Sequence, residues 1–507
     1  MKLFIVLLTG AFMLATGTSD VFAKKKEKVQ TEAKSDTVQT VSKKRNTQYP
    51  RLFKNKRVVT KKGLITIHKI NDKLYFEFPK SLLGRDFLMG SSVSATSNNT
   101  SGLVGQTMTT PLHIRFAIQE DHIYMQNVTP VSRMDVYSNQ SDISRAVAKS
   151  NITPNMESFK IAAYNMDSTA VVFEVTKFFF ADNKRLPLFD QNSASLEDEK
   201  YGKLELKAIL KKNLSSIRNF YVFDDNLEIN LDMSFYQSLL ANKREVRGGN
   251  VRVKAVYSML LLPEEVMTWR LGDPRLGYTY TKKQKISTEK DGTAFSYLQH
   301  KWNLLPTDKE AYRRGDLVAP RKPVLFYIDS DFPEAWKKAI KEGVNWWNEA
   351  FKMAGFKDAV QTADFPANDT TFYAGNLKYS CIRYAPVNLS KTQSKVWVDP
   401  RSGEIINGTI FVGHDIAKTI ASQRFVQTAQ VDERMRGIQL SEEALLEGIR
   451  LYVAREVGHC LGLADNASAS AAFSVESLRS PEFTRQNGIA SSVMDELPYN
   501  YIAQPQD

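Results

Sequence analysis

One stretch of this chain gathers a guanidinium, an imidazole and two carboxylates around a single turn: Ala454-Arg455-Glu456-Val457-Gly458-His459-Cys460-Leu461-Gly462-Leu463-Ala464-Asp465-Asn466. Arg455 and His459 are four apart, so on a helix they share one face. Gly462 permits a sharp turn that brings Asp465 back toward them. Imidazole and carboxylate can accept protons or bind a metal, whereas a guanidinium stays protonated to about pH 12 and has no lone pair to offer. Two readings of this face stay open. Arg455 is a fixed cation pairing with Asp465 or Glu456, or it runs its stem along the surface to reach water. Cys460 follows His459 directly, but neighbouring helical residues point about 100° apart, so a Cys-His nucleophilic pair is not expected.

The segment needs a helix beneath it, and the residues upstream supply one. Ser441 is an N-cap candidate, Glu442 and Glu443 suit the first turn, and Leu445, Ile449, Val453 and Val457 form an apolar stripe that runs toward Gly462. Ile405 to Val412 alternates as a strand. Val324 to Ile328 is a buried-type strand, followed by a helix capped by Asp331 with Pro333 and Glu334 in its first turn. Trp336, Ala339, Ile340, Val344, Trp347 and Phe351 give that helix its core face, and Gly355 ends it. Ahead of Trp302 the pattern is different. Gly63 to Phe78 reads as a hairpin around Asn71-Asp72, and Leu112 to Val128 as a second around Glu120-Asp121. Val171 to Phe180, Phe220 to Phe223, Leu227 to Phe235 and Val251 to Leu262 add strands. The fold class is therefore α+β, with a β-rich region over residues 49–300.

The chain has 507 residues, 42% hydrophobic and 24% charged, which excludes wholesale disorder and asks for two or three domains. Cys381 and Cys460 are its only cysteines, too few for a disulfide framework or a cysteine-based zinc finger. Spacing leaves a bond between them open. The formal charge of +12 is concentrated at one end: residues 24–62 hold 14 Lys/Arg against three acids, while Lys2 and Asp20 cancel, so residues 63–507 sum to only +1. A basic tail on a neutral body is not a nucleic-acid-binding face. Lys2, the apolar run Leu3 to Ala15 and the small residues before Lys24 read as a signal peptide over residues 1–23, followed by a basic linker over 24–48. No later stretch is long and apolar enough to span a bilayer. The expectation is export to the periplasm, cell envelope or medium, with no transmembrane segment after signal removal.

The segment around His459 resembles the H-E-x-x-H-x-x-G-x-x-H signature of metzincin zinc proteases, with two of its three ligand positions altered. Ser492-Val-Met-Asp495 looks like the metzincin Met-turn. Longer stretches are similar to exported zinc-dependent metalloproteases of the Bacteroidetes type, which carry a domain of unknown function ahead of a metzincin-like domain. Among them are Gly63-Leu-Ile-Thr-Ile-His-Lys69, Ser81-Leu-Leu-Gly-Arg-Asp86, Gly272-Asp-Pro-Arg-Leu-Gly-Tyr278, Tyr312-Arg-Arg-Gly-Asp316, Pro323-Val-Leu-Phe-Tyr-Ile-Asp329, Asp399-Pro-Arg-Ser-Gly-Glu-Ile405 and Ser477-Leu-Arg-Ser-Pro-Glu-Phe483. The resemblance spans residues 50–507.

It implies a metzincin-like domain over 301–507 with a mixed sheet and an active-site helix. It also implies zinc as the family's cofactor, Glu456 in the general-base position, His459 and Asp465 in metal-ligand positions, and Met494 beneath the site. It puts the substrate-lining edge strand at Ile405 to Val412, with Ile405, Gly408, Ile410 and Val412. Arg455 stands in the first ligand position and cannot bind, which argues against zinc in this chain. Relatives continue for several hundred residues past the Met-turn, so a C-terminally short member is expected. Three functions follow in order of preference. The first is a zinc metalloprotease homologue, inactive or weakly active, that keeps a cleft for a peptide or protein ligand. The second is an active endopeptidase with a rebuilt metal site that recruits His414 or a partner chain. The third is a non-catalytic envelope scaffold. His68, His113, His122 and His300 lack ligand-like spacing and are expected as surface or hydrogen-bonded core residues. The oligomeric state is not legible.

Overall fold

The β-hairpins are where local sequence dictates structure most directly. In the computed structural model, strands β1 (Val58–Lys62), β2 (Thr66–Ile70) and β3 (Lys73–Pro79) form a meander. Its second turn is closed by Asn71 in the left-handed region at φ 54°. The structure describes residues 48–507 except 99–103, 106, 130–133, 137–140, 182–183, 190–196, 199, 287–292, 370, 387–391 and 438. The expected signal peptide lies outside the described residues, as does the linker apart from Gln48. A helix occupies residues 48–53, and its Tyr49 hydroxyl donates to Glu77.

Further strands complete the amino-terminal half: β4 (Phe87–Thr96), β5 (Leu112–Gln119), β6 (His122–Asn127), β7 (Asn155–Tyr164), β8 (Ala170–Glu174), β9 (Glu205–Leu210), β10 (Ser216–Val222), β11 (Asn226–Ala241) and β12 (Arg244–Leu261). They join the first three in one antiparallel sheet of order β1-β2-β3-β8-β7-β6-β5-β4-β12-β11-β9, with β10 also paired to β11. The sheet curls until its ends meet: the Leu64 N–H donates to Phe223 O at 2.6 Å, and Lys69 Nζ donates to Ile217 O at 2.8 Å. Phe76, Phe78, Phe87, Phe116 and Phe173 fill the curl, with edge-on and tilted ring contacts 4.7–6.3 Å apart. The apolar run expected as a strand over Val171 to Phe180 leaves the sheet after Glu174. A short helix over Thr176–Phe179 then turns Phe178 and Phe179 into the same core.

The carboxy-terminal half is an α/β layer. A small antiparallel pair, β13 (Tyr280–Ile286) and β14 (Ala294–Gln299), leads into it. Strands β15 (Val324–Ile328), β16 (Val360–Asp364), β17 (Ser380–Ala385), β18 (Thr392–Asp399) and β19 (Glu404–Gly413) form a sheet of order β16-β15-β17-β19-β18. All neighbours are parallel except β18 against β19. One face carries helices α1 (Glu334–Asn345), α2 (Trp347–Met353), α3 (Ile416–Thr428) and α4 (Glu442–Cys460). Pro333, not Asp331, is the N-cap of α1, and the single helix expected through Phe351 is divided at Trp346. The described residues include no helix long and apolar enough to cross a membrane.

The sheet order corrects the expected edge strand. The strand holding Ile405, Gly408, Ile410 and Val412 is β19, an inner strand with a partner on either side. Ile405, Ile410 and Val412 are buried core residues, and Gly408 leaves room for Cys460 of α4. The edge belongs to β18, which runs antiparallel to the rest.

Candidate functional site

Helix α4 begins as its sequence dictates: the Ser441 hydroxyl accepts from the Ala444 N–H, and Glu442 and Glu443 occupy the first turn. Ile449, Val453, Val457 and Cys460 bury its inner face against the sheet. Close approach is built in by glycine. A Cβ at Gly448 would meet Ile420 of α3 at 2.6 Å, and one at Gly458 would meet Met494 Sδ at 2.3 Å. Past Cys460 the chain reverses through Gly462 at φ 95°, a left-handed conformation that suits glycine. The amide of Thr279 donates to the Gly462 carbonyl, which ties this turn to the segment leading into β13.

That reversal brings together three of the side chains read from the sequence. Arg455 Nη2 donates to Asp465 Oδ1 at 2.6 Å. His459 Nδ1 donates to the Leu463 carbonyl at 3.0 Å, which turns Nε2 toward the same Asp465 Oδ1, 3.3 Å away. Glu496, immediately after the Met494-Asp495 pair, approaches Arg455 at 3.7 Å. Arg455 is 24% exposed and Asp465 51% exposed, so the pair sits at the rim of a cleft and not in the core. The Arg455 Nε is buried without a hydrogen-bond partner among the described residues.

Glu456 stands apart from this cluster. Its Oε1 accepts from the Thr392 hydroxyl at 2.9 Å, a bond that joins α4 to the first residue of the edge strand β18. Pairing of Arg455 with Glu456 is therefore not what the fold adopts; Asp465 and Glu496 take that role. Thr392 is the residue sequence reasoning missed, because a threonine at the start of a strand carries no spacing signal.

Met494 is buried beneath the helix turn that carries His459, with its sulfur against Gly458. Asp495 fixes the turn, accepting from the Ser470 amide at 2.6 Å and the Leu497 amide at 3.0 Å. His414, a candidate for a rebuilt metal site, is engaged elsewhere: its Nδ1 lies 2.6 Å from the Tyr384 hydroxyl and its ring stacks on Trp336. Cys381 and Cys460 are both free and buried, so no disulfide joins them, and burial pushes the Cys460 thiol well above its ordinary value. It is a packing residue. His68 and His113 are buried against the carboxylates of Glu77 and Asp86, 2.9 and 2.7 Å away, and burial holds His300 down to about 4 between the Thr279 and Thr281 hydroxyls.

A cleft of about 470 Å³ opens beside Arg455, walled by Tyr452, Ile489, Val493, Leu497 and Pro498. Its lining mixes these apolar residues with the charged Arg455, Asp495 and Glu496, a form suited to a peptide side chain.

The donor set does not fit a catalytic zinc. Such a site needs three protein ligands around one point. Here Arg455, whose guanidinium has no lone pair to offer, is hydrogen-bonded to Asp465, and of the three side chains at the positions the resemblance implies, His459 and Asp465 could donate. No cluster of three His, Cys, Asp or Glu side chains able to hold a metal occurs among the described residues.

The helix-to-Met-turn segment is where similarity to a metzincin-like region lies. A family model described as Met-zincin matches residues 437–507, which contain α4, the Gly462 turn and Met494. Two models described only as domains of unknown function, DUF5118 and DUF5117, match residues 47–96 and 105–307. No curated protein and no solved structure matches the chain.

Proposed function

We propose that this chain is an exported metzincin-type metalloprotease homologue whose cleft binds peptide without hydrolysing it, a guanidinium having taken the place of the metal. The observation that carries the proposal is the 2.6 Å bond between Arg455 Nη2 and Asp465 Oδ1, with His459 Nε2 turned to the same carboxylate oxygen. Two residues at ligand positions are thereby held around a cation supplied by a third. Hydrolysis in this class requires a metal-bound water for the glutamate to deprotonate. Glu456 instead binds the Thr392 hydroxyl and pins the edge strand. The outer rim of β18, which has no partner strand among the described residues, and the cleft beside Arg455 are suited to an extended peptide, which would add to the edge and seat a side chain between Val493 and Leu497.

The test uses purified full-length protein, denatured casein and a panel of extended fluorescent peptides. Saturable binding without cleavage is expected, and Leu497→Arg should weaken it. Cleavage of casein that is abolished by Glu456→Gln would overturn the proposal, and the absence of any peptide binding would leave a scaffold role in its place.

A further inference from the structure

The helix-free face of the α/β sheet packs on the curled sheet, and the two do not close completely. A cavity of about 350 Å³ is left between them, within the size range of small-ligand pockets. It lies across the sheet from the cleft. On β18 side chains alternate: Thr392 reaches α4, whereas Lys395 and Trp397, an odd number of residues on, line the cavity.

Two cations enter this space from the α/β side, Lys395 of β18 and Arg383 of β17. Lys395 is half-buried at the cavity, and burial lowers its amine to about 8. Its Nζ lies 5.1 Å from the Trp397 ring centroid, and Arg383 Cζ lies 5.5 Å from that of Phe411. Neither is in an ion pair or a hydrogen bond with a described residue. Arg218 stands exposed at the rim as a third cation.

The opposite wall carries one acid. Glu228 of β11 is buried, and its Oε1 accepts from Asn230 Nδ2 at 2.7 Å and from the Tyr373 hydroxyl. Burial raises its carboxyl, against the pull of those two hydrogen bonds. With Glu228 ionised, Lys395, Arg383 and Arg218 leave the lining at two net positive charges; with Glu228 neutral, at three. The cavity is positive in either state. Cations drawn partly out of water and facing a single acid are costly, so a lining of this kind is suited to an anion that is itself hydrogen-bonded. Asn230, Ser94 and Thr409 add neutral polar groups, and Tyr373 stacks on Tyr221 at 4.0 Å.

We infer that this interdomain cavity is a binding site for a small hydroxylated carboxylate, its carboxylate held by Lys395 and Arg383 and its hydroxyls by the Glu228 and Asn230 wall. Because the lining comes from both halves of the chain, an occupant bridges them and stabilises the pair.

The test is calorimetry and thermal melting of the full-length chain with D-glucuronate, L-malate, acetate and inorganic phosphate at constant ionic strength. Glucuronate or malate should bind saturably and raise the melting temperature, with acetate at least about tenfold weaker for want of hydroxyls. Lys395→Met and Arg383→Met should each weaken binding by about tenfold or more. In the unsubstituted protein, occupancy should slow acylation of Lys395 by an amine-reactive reagent, read by mass spectrometry. That readout holds even where a substitution impairs folding. The inference is overturned by failure of both hydroxy acids to bind, by binding that survives both substitutions, or by Lys395 acylation that neither ligand slows. Phosphate binding more tightly than either acid would overturn the carboxylate assignment.

Discussion

Arg455 Nη2 lies 2.6 Å from Asp465 Oδ1, so the side chains that the metzincin resemblance puts at the first and third ligand positions are bonded directly to each other. The bond closes the Gly462 turn against α4. It is also half in solvent, with Asp465 51% exposed. An exposed ion pair contributes little, whereas a buried one leaves a costly orphan when broken.

Arg455→Ala should therefore destabilise the chain by only about 1 kcal/mol. Urea denaturation followed by tryptophan fluorescence measures this as a small fall in midpoint at unchanged slope. Losses several-fold larger would mean that Asp465 is effectively buried and dependent on Arg455.

Gly458→Ala should cost more, although it adds one methyl group. The new Cβ would fall 2.3 Å from Met494 Sδ and 2.8 Å from the Trp347 ring, and Trp347 is itself tied to α4 through its bond to the Ala454 carbonyl. Overpacking of this kind costs about 1–3 kcal/mol. Trimming the obstacle with Met494→Ala in the same chain should recover part of it, a coupling that a double-mutant cycle detects.

The parts of this architecture that were legible in the sequence are those specified by neighbours along the chain. Ser441 caps α4 where the cap was expected, and the hairpins turn at Asn71 and Glu120, both at φ 54°. The parts that were not legible depend on residues far apart. Alternation in Ile405 to Val412 announces a strand but carries no information about its neighbours; the edge position came from the resemblance alone, and the sheet order makes this strand internal. The β11–β12 ribbon continues through the polar residues from Gln237 to Asn250, which lack the apolar alternation that marked its base. Thr392 and the Lys395–Glu228 cavity were invisible because both arise where separate elements meet.

Asp86 joins the two halves of the molecule. His113 Nε2 lies 2.7 Å from its Oδ1, Arg115 Nε donates at 2.5 Å, and Arg401 approaches from the loop between β18 and β19 at 3.4 Å. Burial alone would raise this carboxyl, yet the bonds from His113 and Arg115 hold it well below the usual carboxylate range. The stability it contributes is present above about pH 4 and is lost as pH falls further toward its folded-state value. Asp86→Asn should cost about 3 kcal/mol at neutral pH and flatten the acid limb of the melting profile. An unchanged acid limb would show that other carboxylates govern it.

His300 sets a second, higher window. Burial lowers its folded-state value to about 4 from an ordinary 6.5. The unfolded chain therefore takes up a proton between those two values while the folded chain does not. Stability is full above about pH 6.5 and falls as pH drops toward 4, by at most about 3 kcal/mol. His300→Gln should flatten the melting temperature across that interval. Persistence of the full slope in His300→Gln would place the titration elsewhere.

Zinc binding tests the central claim most directly. The full-length chain and Arg455→His would be loaded with zinc, passed through a desalting column and measured by elemental analysis, with casein cleavage followed in parallel. The unsubstituted chain should retain no stoichiometric zinc and leave casein intact. Arg455→His, which supplies two histidines and an aspartate with Glu456 in place, should retain about one zinc per chain. One tightly held zinc in the unsubstituted chain, with casein cleaved, would contradict the replacement of the metal by Arg455.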